Sequence, residues 1–568
     1  MNIPRSLIVV LCLLHPLGAS AAPVRPNIVI ILADDLGYAE LGCYGQEKIK
    51  TPHLDRMAAE GQRWTQFYSG APVCSPSRNV LLTGRHTGGC NVQNLKRVNA
   101  KETEDNLGGD WPMDARQYTI HQALKKIGYA TSAFGKWGMG EYDTTGAPDQ
   151  KGVDYFYGYT DHRVCHSFYP PFLWRNGVKD AINDPGIPGH QKQLDGEVND
   201  ATYTGQKHAS IAVIDEALKW LDAQAAQAKE GKPFFMYYCP LEVHVAMQPP
   251  REWLEKYPRE WDTAPYRGDK GYLPHSRPRA AYAATVSFLD DNVGRVLAKL
   301  KELGLDETTL VFFTSDNGTT HDVGGVDHAF FNSVADLRGL KGSMFEGGIR
   351  MPAIVRWPGK VTAGKTIAQP AYSADLMPTL CALTGADAGQ PFGENLLPIV
   401  LGEKDALASR KPLVWTGGGY GGQTAVRIGD MKAIRRDLFK TKPLDWEVYD
   451  LAKDRSESNN LAATRRDVID AALAVLKAEY TLADGYPKLA IFDPENGSAE
   501  KPGTPAPWEA IFQRLDANAD GKLTFDEWKS SPRARANPDK LEPIFAGLDK
   551  DGDKTISRDE FAAQWKNR

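Results

Sequence analysis

The 568-residue chain is poor in cysteine: it has seven, and no two of them form a C-x-x-C pair. That excludes a dense disulfide framework and a zinc-ribbon arrangement. Past the N-terminal stretch it lacks any apolar run near the roughly 20 residues that a membrane-spanning helix needs, so no transmembrane segment is expected. It also lacks an excess of one charge, since 67 Lys and Arg stand against 72 Asp and Glu for a formal −5. So mild a balance cannot steer a polyanion by its overall field, and nucleic-acid binding is not expected. Low-complexity tracts are missing too, and 42% apolar with 24% charged residues is an ordinary globular balance. Any anionic ligand must therefore meet cations placed locally.

Residues 1–21 carry a charged start at Arg5, an apolar run over 7–14 and the small residues Ala19-Ser20-Ala21. This is the pattern of a secretory signal, which predicts an exported, periplasmic or extracellular protein. Cys12 leaves with that signal, and Cys43, Cys74, Cys90, Cys165, Cys239 and Cys381 remain. One or two bridges among them are compatible with an oxidising compartment.

The length predicts one large domain with smaller ones attached. Over 22–370, β-branched and aromatic runs alternate with helical periodicity, which predicts an α/β domain on a largely parallel sheet, its clearest strand at Asn27-Ile28-Val29-Ile30-Ile31-Leu32. Residues 371–485 read as a smaller α+β domain that includes a helix over 374–383, and 486–506, rich in Pro, Gly, Glu, Lys and Ser, as a linker. Residues 507–568 then form a separate module.

The chemistry concentrates in a few short segments. In Cys74-Ser75-Pro76-Ser77-Arg78, Ser75 suits an N-cap and Pro76 the first helical position, which sets Cys74 at a positive helix end. Arg78, one turn on, is placed to neutralise an oxyanion there. An inert buried cysteine and a thiolate nucleophile are the alternatives, although Val80 stands where a cysteine phosphatase has its arginine. Two strands end in Asp34-Asp35 and in Asp316-Asn317. Either pair alone is ordinary turn chemistry, but together they form an all-oxygen set at a carboxyl edge, suited to Ca²⁺ or Mg²⁺.

With Leu82-Thr83-Gly84-Arg85 following it, the Cys74 motif resembles the signature of the formylglycine-dependent sulfatases, and further segments match that family in order from Pro26 to about Leu461. The resemblance implies an alkaline phosphatase-like sandwich with a large mixed, mostly parallel sheet, a smaller C-terminal α+β domain and, here, a helical EF-hand module. It implies that a maturation enzyme converts Cys74 to formylglycine, whose hydrate attacks sulfur. It also implies Ca²⁺ held by Asp34, Asp35, residue 74, Asp316 and Asn317, sulfate oxygens bound by Lys136 and Lys341, and a leaving alcohol protonated by His244. The family's usual G-K-W-H is here Gly135-Lys136-Trp137-Gly138, so the base that acts on residue 74 is missing. His162 and His166 are the candidates to replace it, and His321 and His328 are candidates to line the substrate pocket.

Near the C-terminus, Asp516, Asn518, Asp520, Lys522 (through its carbonyl) and Glu527 fall at EF-hand ligand positions with Gly521 at the sharp turn. Asp549, Asp551, Asp553, Thr555 and Glu560 repeat the spacing, with Lys554 where glycine is usual. Leu523 and Ile556 are expected to pair the two loops. The expected activity is hydrolysis of sulfate esters on a small molecule or saccharide. Phosphate or phosphonate ester hydrolysis on the same scaffold, and catalytically silent calcium-dependent glycan binding, are the alternatives.

Overall fold

The computed structural model describes residues 25–98, 109–417, 419–440, 444–481, 483, 486, 489–491, 512, 515–516, 518, 520–529 and 540–566. The expected signal, most of the expected linker and the start of the expected C-terminal module lie outside these residues.

Strands beginning at Lys365, Gln62, Arg350, Thr309, Asn27, Phe234, Ala130, Tyr155, Phe172 and Val178 lie side by side in that order, and a short strand at Ala371–Tyr372 also pairs with Gln62–Tyr68. The central five, from Thr309–Ser315 to Tyr155–Tyr159, are mutually parallel. Their carboxyl ends therefore open at one edge, where such sheets bind ligands. Every residue of Asn27–Ala33 is buried, as a parallel strand covered on both faces must be. Val29 and Ile31 pack beneath the helices Ala209–Lys229 and Pro278–Glu302. Ile28, Ile30 and Leu32 pack on the other side with the helices Ile120–Lys126 and Leu376–Thr384.

That last helix and Ala371–Tyr372 belong to the large sheet's core, so the expected boundary at 370/371 is displaced toward the C-terminus. A four-stranded antiparallel sheet follows, Leu413–Gly417, Gln423–Ile428, Met431–Arg436 and Glu447–Asp450. One face is covered by the helix Arg466–Glu479. The other carries Trp415 and Ile434 against Tyr68, Val80 and Tyr372, which docks the smaller domain beside the helix that begins at Cys74. Trp415 Nε1 donates to the Ser69 carbonyl at 2.9 Å.

In the C-terminal module, Lys522–Thr524 and Thr555–Ser557 pair antiparallel with Leu523 opposite Ile556, as expected. Phe512, Leu523, Trp528, Phe545, Ile556 and Phe561 form its own core. Gly521 has φ +82°, and Lys554, at the equivalent loop position, has φ +68°. A left-handed lysine costs about 1–2 kcal/mol before the greater unfolded freedom of glycine is counted. Lys554→Gly is therefore expected to stabilise the module by up to about 1 kcal/mol, read as a higher melting midpoint of its transition; a lowered midpoint contradicts this.

Candidate active site

The sheet edge assembles the site strand by strand. Asn27–Ala33 delivers Asp34 and Asp35, and Thr309–Ser315, in register with it, delivers Asp316 and Asn317. The Asp316 amide donates to the Ala33 carbonyl at 3.0 Å, and the Asp35 amide to Asp316 Oδ1 at 3.2 Å. Asp35 sits at φ 63°, a left-handed conformation that aspartate tolerates better than most residues. The loop after Phe234–Cys239 is tied to the same place, because the Asp34 amide donates to the Glu242 carbonyl and the Val243 amide to the Asp34 carbonyl. This brings in His244, whose Nε2 lies 3.7 Å from Asp35 Oδ2.

Three buried cations answer the three buried carboxylates. Lys136 Nζ contacts Asp34 Oδ2 at 2.6 Å, and Lys341 Nζ contacts Asp35 Oδ2 at 2.8 Å. Arg78 donates through Nε and Nη2 to Asp316 Oδ2 at 3.0 and 2.7 Å, and through Nη1 to the Lys136 carbonyl. Its guanidinium is thus taken up by carboxylates, with Nη2 also 3.4 Å from the Asp34 carboxylate that Cys74 contacts. Burial pushes Asp34 upward, but Lys136, with His244, Arg78 and Lys341, holds it well below the usual carboxylate range. Burial, and Asp34 next, push Asp316 up to about 6.

Cys74 is buried, with Sγ 3.5 Å from Asp34 Oδ1. It begins the helix Cys74–Thr83, and Val73 is the N-cap, so the helix starts earlier than the expected cap at Ser75. Pro76 is tolerated because the first four helical amides need no internal partner. Burial and Asp34 push the thiol up to about 12, which disfavours a thiolate nucleophile. The six described cysteines are all free.

The oxygen set fits a hard cation. Asp34, Asp35, Cys74 and His244 each offer a ligand atom within 4.8 Å of the others. Asn317 Oδ1 is buried without a hydrogen-bond partner, while its Nδ2 donates to Asp35. An orphan amide oxygen among carboxylates is what Ca²⁺ or Mg²⁺ would satisfy.

The histidines divide. His166 stacks on His244, with centroids 5.1 Å apart and planes at 10°. His162 turns Nδ1 to Asp110 and donates its amide to the same carboxylate at 2.8 Å. Gly138 has φ +76°, and a Cβ there would lie 3.6 Å from Asp110 Oδ2 and 3.2 Å from the unpartnered Ser75 Oγ. His321 packs edge-on against Tyr420 at 6.0 Å, and His328 pairs with Asp322 of its own loop at 3.2 Å. Asp110, His190, Tyr272 and Tyr420 join this neighbourhood without having been picked out from the sequence.

A fold with this edge and this charge arrangement is that of the sulfatases, and the family pattern described as Sulfatase matches residues 26–386. The chain belongs to that family. Residues 339–478 match the C-terminal part of N-sulphoglucosamine sulphohydrolase, and 506–566 match the EF-hand domain pair. Human (Homo sapiens) N-acetylgalactosamine-6-sulfatase is 34% identical over 465 residues, covering 78% of this chain and 77% of the relative. Arylsulfatase A of Bos taurus is 31% identical, covering 84% and 90%. Among solved structures, Ps i-CgsB superposes with a TM-score of 0.65 at 25% identity, over 80% of this chain and 93% of that one. The phosphonate monoester hydrolase of Agrobacterium radiobacter shares the fold, with a TM-score of 0.55 at 21% identity over 82% and 98%.

Arg78→Ala strips Asp316 of its buried partner and is expected to cost about 3–5 kcal/mol of stability. The urea midpoint measured in chelator checks this, and an unchanged midpoint means that the guanidinium is not what holds the carboxylate.

Proposed function

We propose that this protein is an exported sulfuric ester hydrolase acting on sulfated carbohydrate, with Cys74 matured to formylglycine and Ca²⁺ held by Asp34, Asp35, Asp316 and Asn317. The observation that carries the reading is the convergence of Cys74, Lys136, Lys341 and His244 on one pair of aspartates. The names of the N-acetylgalactosamine-6-sulfatase relatives support a saccharide ester. The N-terminal pattern supports export, and no helix among the described residues is long and apolar enough to cross a membrane. The EF-hand pair is assigned calcium at Asp516, Asn518, Asp520, Lys522 and Glu527, and at Asp549, Asp551, Asp553, Thr555 and Glu560.

Ca²⁺ held by Asp34, Asp35, Asp316 and Asn317 would polarise a sulfuryl oxygen and favour the ionised state of an attacking hydroxyl. A hydrated formylglycine at residue 74 would supply that hydroxyl to sulfur in exchange for the alcohol oxygen of the ester. Lys136 and Lys341, which meet Asp34 and Asp35, would hold the non-bridging sulfuryl oxygens. His244 gives its proton to the departing alcohol oxygen. Burial, then Lys341, push His244 down to about 4. A sulfate ester brings a negative charge into the same space, which raises it toward its task as an acid. Regeneration requires a proton acceptor at residue 74. His162, oriented by Asp110 beside the gap at Gly138, has the better support of the two candidates, and His166 instead flanks His244.

Peptide mass spectrometry of residues around Cys74 from the native host is expected to show an aldehyde in place of the thiol; cysteine alone sinks the mechanism. Cys74→Ala and Lys341→Ala are expected to abolish turnover with the melting midpoint nearly unchanged for Cys74→Ala. His162→Ala is expected to release alcohol in a burst and then turn over about 10²-fold more slowly, the lower range for loss of a general base. Normal steady turnover removes it from that role.

A further inference from the structure

Resting on the sulfatase reading above, the geometry points to a saccharide subsite walled by His166, His190 and Tyr272, with Tyr420 from the smaller domain at the rim of the same sulfate pocket. The sulfuryl head is fixed by two lysines at the sheet edge, so the alcohol half of the ester must emerge past His244, the residue aimed at its bridging oxygen. Beyond His244 the rings continue outward. His166 stacks on it, and Tyr272 lies 5.0 Å from His166. His190 stacks on Tyr272 at 4.6 Å and 29° and is itself exposed. His166 Nδ1 and His190 Nε2 are 2.9 Å apart and His190 Nδ1 accepts from the Tyr272 amide at 2.9 Å, which fixes both rings and leaves His166 its Nε2 for a ligand hydroxyl.

Tyr420 approaches the same centre from the turn between two strands of the smaller sheet. It is 54% exposed, and its ring covers Gly342, whose added Cβ would lie 2.3 Å from Tyr420 Cζ. Gly342 follows Lys341 directly and donates its amide to the Pro72 carbonyl, two residues before Cys74. The exposed ring is therefore built onto the rim of the sulfate pocket and is not a stray surface aromatic.

The chemistry of these walls selects the ligand class. A pyranose has an apolar C–H face, which an aromatic ring covers, and hydroxyl edges, which imidazole nitrogens bond as donor or acceptor. A steroid or fatty alcohol would instead call for an aliphatic wall, and the rings here present polar edges.

The test uses the full chain in calcium with three probes: 6-O-sulfated N-acetylgalactosamine, a steroid sulfate and 4-nitrophenyl sulfate. Tyr420→Asn, chosen because asparagine tolerates the backbone at φ 53°, and His190→Ala are compared with the wild type. Each is expected to lower kcat/KM on the sulfated sugar about tenfold or more, chiefly through KM, while 4-nitrophenyl sulfate changes by less than about threefold. Melting midpoints confirm that both variants are folded. Equal losses on sugar and aryl ester, no loss on the sugar, or a wild-type preference for the steroid ester overturn the subsite. A wild type that cleaves the aryl ester and no sulfated sugar overturns the subsite and leaves the hydrolase reading intact, whereas cleavage of none of the three sinks both.

Discussion

Three carboxylates buried at one end of one sheet, Asp34, Asp35 and Asp316, are the constraint that the rest of the molecule must satisfy. A buried, unpaired charge costs several kcal/mol, and like charges this close add repulsion. The chain meets each with a cation from a different segment: Arg78 from the helix at Cys74, Lys136 from a neighbouring strand end, and Lys341 from a distant loop. None of these residues is tolerable in the interior without its partner. The polar centre therefore forms only when segments hundreds of residues apart have docked, and it forms as a single unit.

The surrounding architecture serves to hold that unit dry and rigid. Five parallel strands covered on both faces place five carboxyl ends side by side at spacings of about 4.8 Å, so that residues just past each end are neighbours by construction. The smaller sheet docks through Trp415 and Tyr372 next to the helix that carries Cys74, and this brings Tyr420 to the rim. The EF-hand pair closes a separate core through Leu523 and Ile556. Its stability is a local matter of loop conformation and bound cation.

Much of this was legible in the sequence because strand ends and glycine-flanked acids are local signals. Asp34, Asp35, Asp316 and Asn317 lie just past recognisable strands, whereas Lys136, Lys341 and His244 were picked out through the family resemblance. Arg78 was read from spacing alone, and spacing gives only its nearness to Cys74. Which partner it takes is decided by the larger electrostatic demand of Asp316, contributed by a strand more than two hundred residues away. The helix start was misplaced because proline is compatible with any of the first helical positions, not only the first. The domain boundary failed for a different reason. The helix Leu376–Thr384 follows the large domain's last regular strand, but its apolar residues Leu376, Met377 and Leu380 match the large sheet's open face. Tyr420, Tyr272 and His190 carry no motif, and the pairing of His190 with Tyr272 is a product of long-range docking that no periodicity announces.

Gly138 shows why a departure from a family pattern need not mean loss of the chemistry. On a parallel sheet the two strand ends flanking a position are near-equivalent suppliers of side chains to the same space. The Gly138 amide donates to the Thr160 carbonyl, so the chain around His162 runs alongside the residue that lacks a side chain. Asp110 then fixes His162 through two contacts and lies beside the vacated Cβ position. Arg97 pairs with Asp110 and with Asp161, which offsets the charge of these carboxylates. On the proposed reading, the glycine leaves room for an imidazole presented from the adjacent strand, and the Asp110–His162 pair is its proposed source.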